Sequence, residues 1–477
     1  MTSSSPDLST ATAAETARLT ASGSVTARAV VEAALARIAV HDGPLNAMST
    51  VLADAALAEA DERDRARAAG EPAGPLHGVP IVIKDENDVA GAVTTFGGRG
   101  NSAPAASDGA VARRLRAAGA VVVGKTHMPE FGAWPFTESV AGGLTRNPWD
   151  PSRSPGGSSG GTAVAVASGM VPVGIGGDGG GSIRIPSASC GLFGLKPQRG
   201  RVTAAPAAHL WWALGTIGPL SRTVLDSALV YDAIRGTEPG DRFAAAQPGS
   251  FVEAAGREPG RLRVGWSARP VTKGVRPDRV HVRALEETAR LLAELGHDVR
   301  EVDPHYPDPT AAFVPQFFAG LRAEADLVEH PERLERRTRD TLRLGSWVTP
   351  RVVEAAIRRS EKVAAAAGRV FDGVGGQAGV DVLLTPTTAH RPRPVGALDG
   401  VGTVRAALRS LPSIAYCALW NVAGNPAASV PCGIAEDGLP VAVQLVGRTD
   451  DEPTLLSLAA QIERARPFPV WGAAAAR

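Results

Sequence analysis

Cysteine is scarce in this chain of 477 residues: there are three, Cys190, Cys417 and Cys432, and none forms a C-x-x-C pair. That argues against a disulfide framework and a zinc ribbon, and it fits a reducing, cytoplasmic setting. Net charge is almost absent too, with 50 Lys and Arg against 49 Asp and Glu. Nothing electrostatic therefore favours nucleic acid or an anionic membrane as a partner. No run approaches the ~18 uninterrupted apolar residues of a membrane span. The nearest, "GTAVAVASGMVPVGIGG", consists of small residues and is broken by Gly and Pro. The opening "MTSSSPDLSTATAAETARL" lacks a basic flank followed by an apolar run, so no secretory signal is expected. What the chain has in quantity is glycine and proline, 54 and 37 residues, in a sequence that is 44% hydrophobic. This combination predicts a packed core carrying many constrained loops.

Residues 1–70 predict helices. Thr26 is placed to cap "ARAVVEAALARIAVHDG", in which Val30, Val31, Ala34, Leu35 and Ile38 recur at three- and four-residue steps. An Ala-rich helix, "ADAALAEADERDRARAAG", ends at Gly70. From 71 to 221 short apolar strands alternate with helices and Gly/Pro turns, the pattern of an α/β core. Residues 222–378 are richer in charge and helix and contain no Gly-rich loop; they predict a helical insertion covering a pocket. Strands return in 379–477 ("VDVLLTPTT", "NPAASVPCGI", "LPVAVQLVG") before a closing helix. One domain is expected, its sheet built from both ends of the chain.

Residues 119–126, "GAVVVGKT", spell a phosphate-binding loop. Such a loop wraps between a strand and a helix, whereas Val121, Val122 and Val123 are β-branched and belong in a buried strand. No helix start follows, so Lys125 reads as a strand-end lysine. A more informative stretch is "SRSPGGSSGGTAVAVASGMVPVGIGGDGGGSIRIPSASCGLFGLKP", residues 152–197. Gly179, Gly180 and Gly181 run into Ser182 at a helix start, where consecutive N–H groups and the helix dipole favour negative charge. That suits an oxyanion hole beside a nucleophile, and equally an anion-binding or structural turn. Gly157, Ser159 and Gly161 also form G-x-S-x-G, the nucleophile elbow. An elbow needs a strand entering the serine, and "NPWDPSRSPGG" reads as loop; no later histidine stands out as its partner. Lys84, at the end of "GVPIVIK", is the other candidate activator. A solvated lysine, with a pKa of about 10.4, is protonated at neutral pH, and burial lowers that value towards a usable base.

The run "GGSSGG…GDGGGSIRIPSASCGLFGLKP" resembles the signature of the amidase signature family, serine hydrolases of C–N bonds. "PLHGVPIVIKD", "AAGAVVVGKTHMPEF" and "WNVAGNPAASVPCGIAEDGLPVAVQLVG" extend the resemblance over nearly the whole chain. It implies a single domain over 1–477: an α/β fold with a large twisted mixed sheet, helices on both faces and a helical insertion. It implies a Ser–cis-Ser–Lys triad at Ser182, Ser158 and Lys84, the serines 182 − 158 = 24 positions apart. The oxyanion hole would fall on the N–H groups of Gly179, Gly180, Gly181 and Ser182, braced by Asp178 and Arg184. Trp134 and Phe136, in "GAWPF", would stand where the family lines its substrate pocket, in a chain only 5% aromatic.

No metal or organic cofactor is implied. The implied substrates are small amides, anilides, esters or carbamates (urethanes), and a homodimer is compatible with the sequence. Rival readings are the A subunit of a glutamine-dependent tRNA amidotransferase, a nitrilase-like enzyme using Cys190, and a non-catalytic binding protein. "SASCG" lacks the Glu and Lys setting of the second, and the intact Lys84, Ser158 and Ser182 argue against the third. The chain departs from the family pattern at Gly177, usually Thr or Ser, at Gly179, usually Thr, Gly or an aliphatic residue, and at Glu86, commonly Asn. The glycines predict a more flexible oxyanion loop.

Overall fold

The computed structural model describes residue 8 and residues 10–374 and 377–472. Residues 1–7, part of the opening on which the absence of a signal is argued, lie outside the described residues. Eleven strands form one sheet: β1 (Met48–Val51), β2 (Pro80–Lys84), β3 (Val121–Thr126), β4 (Val173–Asp178), β5 (Phe193–Lys196), β6 (Thr216–Ser221), β7 (Arg263–Trp266), β8 (Asp298–Glu301), β9 (Val382–Pro386), β10 (Ala427–Ile434) and β11 (Pro440–Val446). Their spatial order is β1-β3-β2-β4-β6-β5-β10-β11-β9-β7-β8. The sheet is mixed: β2 runs parallel to β3 and β4, β7 runs parallel to β8 and β9, and the remaining neighbours are antiparallel.

Alternation along the central strands shows that both faces are covered. Ile81, Ile83 and Val122 belong to one apolar cluster, with the helices Val224–Ile234, Arg279–Glu294 and Glu452–Ala465. Val82, Val121 and Val123 belong to the other, with helices Ala27–Leu45 and Gly160–Ala167. A strand buried on both sides reads as a continuous apolar run, which is why "VPIVIK" and "AVVVGKT" carry almost no polar alternation. The phosphate-loop spelling is therefore a core strand. Lys125 is fully buried, with Nζ 2.8 Å from Asp85 and hydrogen-bonded to the Val93 carbonyl and Thr94.

The helical insertion needs correcting. Residues 222–378 do supply helices, including Thr310–Ala325 and Pro350–Asp372, which pack together. They also supply β7 and β8 at one edge of the sheet, and Leu285 and Leu292 to the main core. This segment is thus partly sheet scaffold and partly cover. The two strands escape sequence reading because each has four residues and β8, "DVRE", is largely exposed.

Candidate active site

Lys84 ends β2, where the strand's apolar residues bury it; its side chain is 2% exposed. Its Nζ donates to Ser158 Oγ at 2.8 Å and lies 2.9 Å from Glu86 Oε2. Ser158 follows a cis Gly157–Ser158 peptide and is buried. Gly157 is required there, because a Cβ would stand 2.6 Å from the Phe136 backbone nitrogen. Ser182 stands between β4 and the short helix Arg184–Cys190, and its carbonyl accepts from the Ser159 N–H at 3.2 Å, tying the two serine loops together. Between Met170 and Pro197 only Gly180 and Ser182 escape full burial. Solvent therefore reaches this glycine loop at the one serine the sequence singles out.

Ser159, the elbow serine, is occupied elsewhere. Its hydroxyl donates to the Gly177 carbonyl at 3.1 Å and accepts from the Gly177 N–H at 3.2 Å. That pair fastens the Gly160–Ala167 helix to β4, so Ser159 is a structural hydroxyl. Cys190 is buried too, and burial pushes its thiol far above the ordinary range, which removes it as a nucleophile.

Asp178 and Arg184 brace the loop as a fully buried pair. Arg184 donates to both Asp178 oxygens at 3.0 Å, to Gln444 Oε1 at 2.7 Å and to Asn421 Oδ1 at 2.6 Å. Burial alone would raise the Asp178 carboxyl; the Arg184 charge, then hydrogen bonds from Arg184 and Asn421, outweigh it and hold the group well below the usual carboxylate range. Asp178 also binds the Gly181 N–H at 2.7 Å. Gly181 is thus removed from the predicted oxyanion hole, because its donor is already used to shape the turn. Gly179, Gly180 and Ser182 are left as the candidate donors.

At Gly177 and Gly179, where the sequence predicts a more flexible loop, other side chains occupy the space that a side chain would take. A Cβ on Gly177 would lie 1.9 Å from Glu86 Oε1, and one on Gly179 would lie 2.7 Å from the Trp211 ring. Trp211 is fixed in turn by its indole N–H, which donates to Glu324 Oε1 at 2.7 Å. Burial first, and then the Glu86 charge, push the Glu324 carboxyl well above its usual range.

Ser182 and Gly180 open onto a cleft of about 690 Å³. Trp134 and Pro135 line it. Phe136 does not; its ring stacks behind Trp134 at 5.7 Å, and Arg337 lies over both rings. The rest of the wall escaped sequence reading: Trp211, then Phe313 and Phe317 on helix Thr310–Ala325, and Val404, Leu408 and Leu411 on helix Thr403–Ile414. The signal was present in "TVRAALRSLPSI", where positions 404, 407, 408 and 411 share one helical face. Pro412 and the Gly/Pro-rich approach disguised it. Among the described residues no group of His, Cys, Asp and Glu has the arrangement of a metal site, and no helix is long and apolar enough to cross a membrane.

Comparisons with known proteins identify the family. The amidase family model matches residues 29–456. The candidate amidase AmiB2 of Mycobacterium tuberculosis is 49% identical over 465 residues, covering 97% of both chains. The A-type chain of the glutamyl-tRNA(Gln) amidotransferase of Synechococcus is 37% identical, covering 93% of this chain and 94% of its own. Among solved structures, 6-aminohexanoate cyclic dimer hydrolase superposes with a TM-score of 0.88 at 31% identity, covering 97% of this chain and 98% of its own. A bacterial aryl acylamidase gives 0.85 at 28% identity, covering 96% of each chain. With family model, relatives and fold in agreement over almost its whole length, the chain belongs to the amidase signature family, whose members hydrolyse amide C–N bonds.

Proposed function

We propose that this protein cleaves small neutral or aryl amides, and also carbamates and esters, through an acyl-enzyme on Ser182. The observation that carries the reading is the buried Lys84–Ser158 contact of 2.8 Å, next to a solvent-reached serine at the floor of an apolar cleft. Ser182 Oγ attacks the carbonyl carbon while its proton passes to Ser158 Oγ and on to Lys84 Nζ. The N–H groups of Gly179, Gly180 and Ser182 receive the developing oxyanion. The same relay returns the proton to the leaving amine as the C–N bond breaks. Water then attacks the ester, and Ser182 regains its proton. No step calls for a metal or an organic cofactor.

The cleft wall supports neutral, apolar substrates. Setting a zwitterionic amino acid against Trp134, Trp211, Phe313 and Phe317 would strip water from two charges without replacing it. A fluorophosphonate should label Ser182 and leave Ser159 untouched, and Ser182→Ala should abolish turnover with an unchanged melting temperature. A nitroanilide and an aryl carbamate should give kcat/KM at least 10-fold above glutamine, and Trp134→Ala should slow the nitroanilide. A preference for glutamine, or labelling at Ser159, would overturn this reading. A second reading, the amide-cleaving component of a tRNA amidotransferase, draws support from the full-length similarity at 37% identity. Glutaminase activity together with co-purifying partner proteins would favour it.

A further inference from the structure

Two departures from the family pattern, Glu86 and Gly177, meet in space. Glu86 follows β2 by two residues, its side chain 7% exposed, with Oε2 2.9 Å from Lys84 Nζ. Its other oxygen, Oε1, has no hydrogen-bond partner in the protein and lies 1.9 Å from where a Cβ on Gly177 would be. A separation of 1.9 Å is far inside van der Waals contact. The carboxylate can hold this position only because residue 177 has no side chain. Gly132, at φ +61°, closes the opposite side: a Cβ there would stand 3.1 Å from Ser158 Oγ and 3.7 Å from Glu86 Oε2.

We propose that Glu86 is a positioning residue for Lys84, and that Glu86 and Gly177 form one functional unit in which the glycine makes room for the carboxylate. This rests on the reading of Lys84 as the proton acceptor of the relay. The chemistry then calls for such a group. When the Ser182 proton reaches Nζ by way of Ser158, a cation appears in a site where the lysine side chain is 2% exposed. An unpaired buried ammonium is costly, and a carboxylate in contact offsets that cost.

The other acidic groups nearby are not free to serve. Asp85 is paired with Lys125 at 2.8 Å and bonded to Thr95. Glu324, across a cavity of about 540 Å³ that both it and Glu86 line, is tied to Trp211 and held towards its neutral form by burial and by the Glu86 charge. Glu86 carries the compensating charge. It also fixes the direction of Nζ: a lysine side chain has four rotatable bonds, and a second anchor holds it against Ser158 without further ordering at the moment of transfer.

The experiment is a mutant cycle with nitroanilide kinetics and melting temperatures. Glu86→Gln should lower kcat at least 10-fold and leave KM within twofold, because it removes the charge and not the substrate wall. Gly177→Ser should lower kcat at least as far, by displacing the carboxylate. The double variant Glu86→Asn with Gly177→Ser should be no slower than Gly177→Ser alone, because the carboxylate whose displacement costs activity is already gone and the shorter side chain clears the serine. A kcat within twofold of wild type in Glu86→Gln, or a double variant more than fivefold slower than Gly177→Ser, overturns the proposal. If Gly177→Ser does not fold, Glu86→Gln decides alone. Lys84→Ala is the control: full activity there sinks the lysine relay itself, whereas an inactive Lys84→Ala beside a fully active Glu86→Gln sinks only the role of Glu86.

Discussion

Glu130 shows at the scale of one residue how burial makes stability depend on pH. It lies in the turn before Trp134, is buried, and accepts the Glu335 N–H at 2.9 Å through Oε2, while Oε1 has no partner. Burial pushes its carboxyl up to about 7, with hydrogen bonds from Thr338 and Glu335 acting only partly against it. The folded chain therefore binds this proton more tightly than the unfolded chain does, whose glutamate titrates near about 4.3. Stability is unaffected below that value, falls as pH rises through the window to about 7, and stays lowered above it. Glu130→Gln keeps the oxygen that accepts the Glu335 N–H and removes the group that resists ionising. Its melting temperature should match wild type at about pH 4.5 and exceed it at about pH 8, the difference reflecting up to about 3 kcal/mol. A variant less stable than wild type at the higher pH would mean the ionised carboxylate is held by contacts that outweigh its burial.

Two helices, Thr310–Ala325 and Thr403–Ile414, supply a large part of the cleft wall, and only the first lies in the segment for which the sequence predicts helix. Helix Thr403–Ile414 leaves Val404 and Leu408 60% and 61% exposed along the cleft, on the face that also carries Leu411. Large apolar side chains left open beside a cleft can gain by covering a substrate; burying one fully is worth about 1.5–3 kcal/mol. Leu408→Glu should raise KM for an apolar anilide about 10-fold with kcat within twofold, because it puts a charge on the cleft wall and leaves Lys84, Ser158 and Ser182 unchanged. A fall in kcat alone would place Leu408 in closure and not in binding. These two helices also mark how far the sequence could be read. Ser182 and Lys84 drew attention as a glycine-flanked serine at a helix start and a strand-end lysine, whereas Ser158 and the grouping of the three came from the resemblance to the amidase signature family. Trp211 and the 403–414 face were not legible, because a pocket wall is assembled from apolar residues that any core would also use. Gly177 and Gly179 looked like a loosened loop for a related reason: the atoms filling their space, Glu86 and Trp211, come from elsewhere in the chain.

Over the whole molecule, the two ends of the sequence are joined at one buried guanidinium. Arg184 follows the glycine loop by two residues, and its partners are Asp178 on the same loop, the Cys417 carbonyl, Asn421 after the cleft helix, and Gln444 on β11. Gln444 in turn donates to Thr385 on β9 and to the Tyr416 carbonyl, and Asn421 donates to the Asp178 carbonyl and carboxylate. The loop that presents Ser182 is therefore held by segments more than 200 residues away in sequence, in the half of the sheet built from the C-terminal strands. Breaking a buried pair by removing one partner leaves the other charge stranded, at a cost of about 3–5 kcal/mol. Arg184→Ala should lower the melting temperature by several degrees and abolish turnover, since Asp178 would no longer fix the Gly181 N–H. Arg184→Lys should recover little of either, because a lysine amine cannot span both Asp178 oxygens, Asn421 and Gln444 at once. Gln444→Ala removes the acceptor for Arg184 and the donor to Thr385 and the Tyr416 carbonyl but leaves the Asp178–Arg184 pair intact, so it should cost less stability and leave measurable kcat. If Arg184→Lys were as active as wild type, the loop would be set by local turn geometry and not by the C-terminal half. The same result would break the link between completing the sheet and building the site.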